Sequence, residues 1–162
     1  MKRVCIIISS DSAFNGTRTD LSGPEAKRIM ENAGYEVVDL RVLPDDRQML
    51  AEAMAGIADA EQADLILTSG GTGFSKRDVT PEATKEVIER EVPGIPEAMR
   101  ANSMKYTERA MLSRAAAGIR KSTLIINLPG SPKAVRESLE FILPSLMHGL
   151  EILSGETGNC AR

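Results

Sequence analysis

The residues best suited to chemistry lie in one stretch, Leu65–Thr80, whose sequence is LILTSGGTGFSKRDVT. An apolar segment runs there into a turn with three glycines in four residues: Gly70, Gly71, Thr72 and Gly73. Glycine leaves the backbone open to close approach by another group, and the basic pair Lys76 and Arg77 adds positive charge. Amide donors, hydroxyls and cations together suit a phosphate. An ordinary tight turn between a strand and a helix is the structural alternative.

The turn does not match either of two common nucleotide-binding motifs. It lacks the G-x-G-x-x-G spacing of dinucleotide-binding folds, and the acids at about the ribose distance, Glu89 and Glu91, follow a helix rather than a second strand. It is not a P-loop, because no Gly-Lys-Ser/Thr follows Gly70 at the required spacing. The predicted phosphate site therefore depends on local chemistry alone.

Two aspartates, Asp45 and Asp78, each lie beyond the end of a predicted strand, in different strand–helix units. A carboxylate beside a phosphate repels it, so we expect a hard divalent cation, Mg²⁺, held between the two acids and bridging them to phosphate. Each acid also has a simpler interpretation. Asp45 or Asp46 could cap the following helix. Asp78 could be a turn acid paired with Arg77 or Lys76. Asp11 and Asp46 are weaker candidates for the same role.

The elements that position these residues alternate between strands and helices. Apolar, β-forming runs predict strands over residues 4–8, 35–42, 65–68 and 122–128. Apolar residues at three- and four-residue spacing predict helices over about residues 25–33, 46–60, 81–90, 96–106 and 133–153. Thr80 is the expected N-cap of the helix after the glycine-rich turn, and Pro144 is expected to kink or restart the last helix. Residues 110–119 are ambiguous between strand and helix.

This alternation predicts an α/β fold, a three-layer α/β/α sandwich with a mainly parallel central sheet. We expect residues 1–162 to form a single domain, with a loose tail from about residue 154. Because the carboxyl ends of parallel strands meet at one edge, four polar turns are expected to converge there: Ser9–Ser12, Pro44–Asp46, Ser69–Asp78 and Pro129–Pro132. These turns add Ser9, Asp11, Gly130 and Ser131 to the candidate binding residues.

Composition excludes several classes of function. The net charge is −3 and only 3% of residues are aromatic, which argues against an extended nucleic-acid surface. No apolar run is long enough to span a membrane, and the N-terminal one is too short for a signal peptide. Cys5 and Cys160 are expected to be unpaired thiols in a cytoplasmic protein. The one histidine, His148, lies in a predicted helix and is not expected to act as a base.

Several separated motifs together resemble one family. The run LILTSGGTGFSKRDVTPEAT is followed by EREVPG over residues 89–94 and by AMLSRAAAGIRKSTLIINLPGSPKAV from residue 110. With VCIIISSDS near the start and SGP over residues 22–24, these motifs resemble the MogA/MoaB family. That family includes molybdopterin adenylyltransferases and the G domains of gephyrin-like molybdenum-cofactor proteins. The resemblance extends over most of the chain.

The resemblance implies the same α/β sandwich and an adenylyl-transfer reaction. Family enzymes use Mg-ATP to adenylylate the terminal phosphate of molybdopterin, with release of pyrophosphate. The family aspartates tied to that reaction, in P-D and R-D-V-T contexts, correspond to Asp45 and Asp78. The resemblance also implies a homotrimer, and hand-over of the product to a molybdate-inserting enzyme.

The remaining site residues are assigned as hypotheses within that resemblance. The backbone amides of Gly70–Gly73 would cradle a phosphate. Ser113, Ser131 and Lys133 are candidate ligands of the pterin or its phosphate, or else ordinary loop and cap residues. The molybdopterin phosphate is already ionised at neutral pH, so no protein base is required. The segment over residues 11–20 varies within the family, and apart from Asp11 its side chains carry no assignment.

Two other functions compete with the enzyme. One is a non-catalytic molybdopterin-binding or scaffold protein of the MoaB type; the presence of both Asp45 and Asp78 favours the enzyme over it. The other is the molybdate-inserting enzyme itself, which is disfavoured because such proteins carry further domains. The sequence does not indicate which molybdenum or tungsten enzymes receive the cofactor.

Overall fold

A computed structural model describes residues 1–156 of the chain. Within them, six strands form one sheet in the order β2-β1-β3-β6-β5-β4. The strands are β1 (Arg3–Ser9), β2 (Glu36–Leu43), β3 (Leu65–Ser69), β4 (Arg90–Glu91), β5 (Ala117–Arg120) and β6 (Thr123–Leu128). The helices are α1 (Asp11–Phe14), α2 (Ser22–Asn32), α3 (Arg47–Asp59), α4 (Thr80–Val87), α5 (Gly94–Ser103) and α6 (Pro132–Leu153), with a 3-10 helix over Glu108–Leu112.

The four strands predicted from apolar runs form the parallel part of the sheet. Strand β1 pairs in parallel with β2 and β3, and β3 pairs in parallel with β6. Val4–Ile8 is almost fully buried, with side chains 0–4% exposed, because helices cover both faces of a parallel sheet. The predicted mainly parallel α/β sandwich is confirmed.

Helices lie on both faces of the sheet and complete the three layers. On one face, α2, α5 and α6 pack over residues such as Ile6 and Leu67. On the other face, α3 and α4 pack over Ile7 and Ile66. The apolar stripes of the helices and the alternating faces of the strands therefore build two cores, and the sheet edge between the layers is left free for the polar turns.

Several predicted element boundaries are wrong near the antiparallel part of the sheet, which β4, β5 and β6 form. The helix predicted to reach residue 90 ends at Val87, because Arg90–Glu91 pairs antiparallel with β5. Of the ambiguous residues, 110–112 lie in the 3-10 helix, 117–119 lie in β5, and 113–116 connect the two. Strand β5 in turn pairs antiparallel with β6. The helix predicted over residues 96–106 instead begins at Gly94 and ends at Ser103.

Other expectations concern the helix ends. Thr80 is not the N-cap of α4: Val79 occupies that position, and Thr80 is the first helical residue. Pro144 lies inside the helix α6, which neither stops nor restarts there. The short helix α1 was not predicted. Most of the tail expected to be loose, and with it Cys160, lies outside the described residues. Within residues 1–156, no helix is both long and apolar enough to cross a bilayer.

Candidate functional site

The four polar turns converge on one cavity of 490 Å³ at the carboxyl edge of the sheet, which we call the first cavity. Eight of the predicted site residues line it: Ser9, Asp11, Asp45, Gly70, Gly71, Asp78, Gly130 and Ser131. The convergence follows from the parallel strands β2, β1, β3 and β6, whose carboxyl ends bring the four turns side by side. The segment Arg18–Ser22, which carried no assignment, forms a further wall.

The glycine-rich turn needs glycine at two positions for steric reasons. Gly70 and Gly71 have φ angles of +97° and +69°, which side chains rarely tolerate. A Cβ on Gly70 would lie 2.4 Å from the Ser9 carbonyl oxygen, and one on Gly71 would lie 2.4 Å from Thr80 Oγ1. The Gly70 amide donates to the Leu128 carbonyl at 3.3 Å, so Gly70 contributes an open backbone rather than a free donor. Within residues 1–156, no acceptor engages the Gly71 amide.

The Asp45 carboxylate lines the first cavity and does not cap a helix. The neighbouring Asp46 caps α3 by accepting from the Met49 amide at 2.8 Å, so the N-cap interpretation of Asp45 is wrong. Ser9 Oγ donates to one Asp45 oxygen at 2.6 Å and the Asp11 amide to the other at 3.0 Å. These bonds hold the carboxylate in place and leave each oxygen a further lone pair.

Asp11 joins the same network and pairs with Arg77. Its carboxylate accepts the Asp45 amide at 2.9 Å, and it accepts Nε and one terminal nitrogen of Arg77, each at 2.9 Å. The bond from Arg77 is the main cause that lowers the pKa of Asp11, and the Asp45 amide lowers it further. Arg77 is thus engaged by Asp11 rather than by Asp78, and the interpretation of Asp78 as its partner is wrong.

Asp78 is half-buried and closes the far end of the glycine-rich turn. One of its carboxylate oxygens accepts from the Ser75 amide at 2.9 Å. A Cβ on Gly73 would lie 2.9 Å from that same oxygen, so the missing side chain of Gly73 makes room for the acid. The other carboxylate oxygen of Asp78 faces no donor within the described residues.

The two acids have the donor chemistry that a magnesium ion requires. Asp45 and Asp78 line the same cavity and present hard oxygen donors with lone pairs to spare. Within residues 1–156, no group of three or more histidine, cysteine or acidic side chains is arranged as a metal cage. A pair of carboxylates matches the way Mg²⁺ is commonly bound, by one or two carboxylates, water and substrate phosphates.

A second cavity, of 290 Å³, lies on the other side of the glycine-rich turn. Thr72, Gly73 and Ser113 line this second cavity and not the first. Its wall is largely apolar but includes Arg100 from α5 and the neighbours Glu137 and Ser138 from α6. Ser138 is 1% exposed, and its hydroxyl has no partner within the described residues. A buried hydroxyl without a partner is costly unless a ligand or water supplies one.

The three predicted site residues after β6, Gly130, Ser131 and Lys133, do not share one location. Ser131 caps α6 by accepting from the Ala134 amide at 3.2 Å and also lines the first cavity. Gly130 lies against the glycine-rich turn, and its carbonyl accepts from Ser22 Oγ at 2.6 Å. Lys133 is exposed in the first turn of α6 and lines neither cavity.

One residue that the sequence did not single out, Arg114, binds the later part of the turn at several points. Arg114 donates Nε to the Gly73 carbonyl at 2.7 Å, Nη2 to the Asp78 carbonyl at 2.8 Å and Nη1 to the Glu82 carboxylate. Burial raises the pKa of Glu82, but the hydrogen bond from Arg114 and other favourable contacts outweigh it and leave that pKa below its ordinary value. Only the position of Arg114 directly after Ser113 in a recognised motif could have drawn attention to it.

Comparison with known proteins agrees with this geometry. Residues 5–148 match the family described as the probable molybdopterin binding domain. The chain belongs to this molybdopterin-binding family. A molybdopterin adenylyltransferase of Helicobacter pylori (strain J99) is 39% identical over 152 residues, which cover 93% of this chain and 86% of the relative. The Haemophilus influenzae molybdopterin adenylyltransferase is 41% identical over 140 residues, covering 85% and 71%.

Solved structures of the family have the same fold. The molybdopterin biosynthesis enzyme MoaB of Thermus thermophilus is 46% identical, with a TM-score of 0.90 over 96% of this chain and 98% of that chain. The tungsten cofactor synthesizing protein MoaB of Pyrococcus furiosus is 32% identical, with a TM-score of 0.86 over 94% and 97%. The similarity thus extends over nearly the full length of both chains.

Proposed function

We propose that this protein is a molybdopterin adenylyltransferase that acts in molybdenum cofactor biosynthesis. It transfers AMP from ATP to the terminal phosphate of molybdopterin and releases pyrophosphate. The observation that carries the proposal is the glycine-rich turn, which forms a wall of both cavities and so gives two substrates a common boundary. Near full-length similarity to proteins named for this activity supports it.

The reaction needs two phosphates to meet in line. An oxygen of the molybdopterin phosphate attacks the α-phosphorus of ATP, a new P–O bond forms, and the bond to the β-phosphate bridging oxygen breaks. Pyrophosphate leaves with that electron pair. The attacking phosphate is already ionised, so no side chain has to remove a proton. Positioning and charge neutralisation then supply the acceleration.

The first cavity is proposed to hold the ATP phosphates. The open backbone of Gly70 and the unengaged amide of Gly71 face the phosphate chain, with Ser9 and Asp11 beside it. Asp45 and Asp78 are the acids proposed to hold Mg²⁺. When bound, this ion neutralises phosphate charge and bridges the acids to the nucleotide. The fixed position of the Asp45 carboxylate, set by Ser9 and the Asp11 amide, suits this role.

The second cavity is proposed to hold the pterin. Its apolar wall suits a flat heterocycle, and Ser113, Thr72 and the unpartnered Ser138 hydroxyl supply polar groups. Gly73 lies between this cavity and Asp78, so a phosphate carried on the pterin could pass across the turn to the ATP site. Ser131, which lines the first cavity, is a candidate for contact with that phosphate, whereas Lys133 lines neither cavity and is assigned no contact.

The direct experiment incubates the protein with molybdopterin, ATP and Mg²⁺ and measures pyrophosphate. We expect pyrophosphate to appear in proportion to the molybdopterin supplied. Tight binding of molybdopterin without pyrophosphate would favour the scaffold function instead.

Two variants test the roles of the acids. Asp45→Asn and Asp78→Asn should keep molybdopterin binding but lower turnover by at least about 100-fold, because each removes a charge that would hold the metal. Asp59→Asn is the matched control, since Asp59 lies outside both cavities, in an ion pair with Arg120. Undiminished turnover in both site variants would contradict the assigned roles.

Further parts of the proposal concern the whole protein. We infer that residues 1–162 act as one domain, that three copies assemble as a homotrimer and that the protein works in the cytoplasm. A molybdate-inserting enzyme is the expected recipient of the adenylylated product. Light scattering after size-exclusion chromatography tests the assembly, for which three copies of the 17.5 kDa chain are expected.

A further inference from the structure

The guanidinium of Arg114 hydrogen-bonds to the residues on either side of an exposed segment that follows the glycine-rich turn. Residues 74–77 are exposed, whereas Gly73 and Asp78, which flank them, are partly buried. Arg114 donates to the carbonyl of Gly73 at 2.7 Å and to that of Asp78 at 2.8 Å. The two flanking residues are therefore held at a fixed spacing by one planar group.

Two further bonds fix this guanidinium to the fold. The third nitrogen of Arg114 donates to the carboxylate of Glu82 on α4. The Arg114 amide donates to the Thr72 carbonyl at 2.9 Å, so its backbone is tied to the same turn. The side chain is 34% exposed, and its acceptors would lose their donors if it were truncated.

The stretch that Arg114 holds separates the two cavities. Asp78 lines the first cavity, while Thr72, Gly73 and Ser113, the residue before Arg114, line the second. A shift of this stretch would change the position of the acid relative to both substrates. Misplacement of a reacting group by about 1 Å can cost roughly 100-fold in rate.

We propose that Arg114, anchored by Glu82, is the positioning residue that sets Asp78 against the glycine-rich turn for adenylyl transfer. The inference rests on the proposed function. Arg114 touches neither reacting phosphate; it acts through the carbonyls of Gly73 and Asp78. Lysine cannot replace it, because a single ammonium does not reproduce the planar fork that serves three separated acceptors.

The main test is Arg114→Lys, assayed with molybdopterin, ATP and Mg²⁺. We expect kcat to fall about 100-fold, with the KM of each substrate changing less than about threefold, because the binding walls remain. Glu82→Gln, which keeps the shape of the anchor but removes its charge, should lower kcat about tenfold. Arg28→Lys is the matched control: Arg28 donates two bonds to Glu25 on α2 and should retain full activity.

A second readout does not depend on turnover. Hydrogen exchange of the amides of residues 74–79 should be faster in Arg114→Lys than in the wild type, while exchange in β1 and β3 stays unchanged. If Arg114→Lys does not fold, as judged by its thermal unfolding, Glu82→Gln provides both readouts.

The possible outcomes separate this inference from the proposed function. A wild-type protein that releases no pyrophosphate contradicts the proposed function, and exchange of residues 74–79 then decides the positioning role alone. An active wild type with unchanged kcat in Arg114→Lys overturns the positioning role. A raised KM at unchanged kcat also overturns it, because Arg114 would then serve binding. Unchanged exchange of residues 74–79 contradicts it whatever the turnover.

Discussion

Neighbouring residues decide which charged side chains around the first cavity are available to a ligand. The Asp45 carboxylate is available to a ligand because Asp46 takes the capping position on α3. Arg77, which was predicted to add positive charge beside a phosphate, instead makes a bidentate ion pair with Asp11. Sequence spacing could identify these residue types, but it could not tell which of two adjacent aspartates faces the cavity, or that Arg77 pairs with an acid outside its own turn.

The Asp11–Arg77 pair gives a prediction about pH. Arg77 lowers the pKa of Asp11 below its ordinary value of 3.8, so the stabilisation from this pair is present above that value and is lost as pH falls through the lower pKa of the folded state. In Arg77→Gln the pKa of Asp11 should rise towards 3.8 without fully reaching it, because the Asp45 amide still donates. A carboxyl-carbon NMR titration measures this. Arg28→Gln is the control, and an unmoved midpoint in Arg77→Gln would contradict the assignment.

At the scale of elements, the sequence predicted the strands that are buried on both faces. Strands β1, β3 and β6 carry continuous apolar runs, which only a covered parallel sheet requires. Strand β4 was missed and β5 was ambiguous, because they have two and four residues, too few to show an alternating pattern of apolar residues. The second cavity was also missed, because its wall combines α5, the 3-10 helix and α6, which lie far apart in sequence.

Two glycines in different elements should respond oppositely to alanine. At Gly70 the positive φ and the Ser9 carbonyl at 2.4 Å leave no room for a Cβ, so Gly70→Ala should lower the free energy of unfolding by about 2–3 kcal/mol and reduce turnover. Gly149 lies in α6, where an added Cβ would meet nothing within 4 Å, so Gly149→Ala should raise the free energy of unfolding by roughly 0.5–1 kcal/mol. Urea unfolding measures both, and equal effects would contradict the account.

For the molecule as a whole, the buried thiol of Cys5 reports on the integrity of the sheet. Burial, and secondarily the charge of Asp39, raises the pKa of Cys5 to about 11. In a Cys160→Ser variant, a thiol reagent at pH 8 should label native Cys5 at least roughly 1,000-fold more slowly than in denaturant, since only opened molecules expose it. Rapid labelling of the native protein would show that β1 is not buried as described.

The same raised pKa predicts how stability changes in alkali. Because the folded thiol keeps its proton to about pH 11 whereas the ordinary value is 9.0, the stabilisation is complete below pH 9 and is lost as pH rises towards 11. Unfolding measured across this range should show a shallower decline in Cys5→Ala than in the parent protein. Parallel declines in the two proteins would contradict the predicted contribution.

The central claim is adenylyl transfer between substrates held on either side of one glycine-rich turn. The most direct measurement supplies molybdopterin, Mg²⁺ and ATP radiolabelled at the α-phosphate, and follows where the label goes. We expect the label to join molybdopterin in a one-to-one ratio with unlabelled pyrophosphate. Label that remains in ATP while molybdopterin is bound, or that appears only as free AMP or ADP, would contradict it.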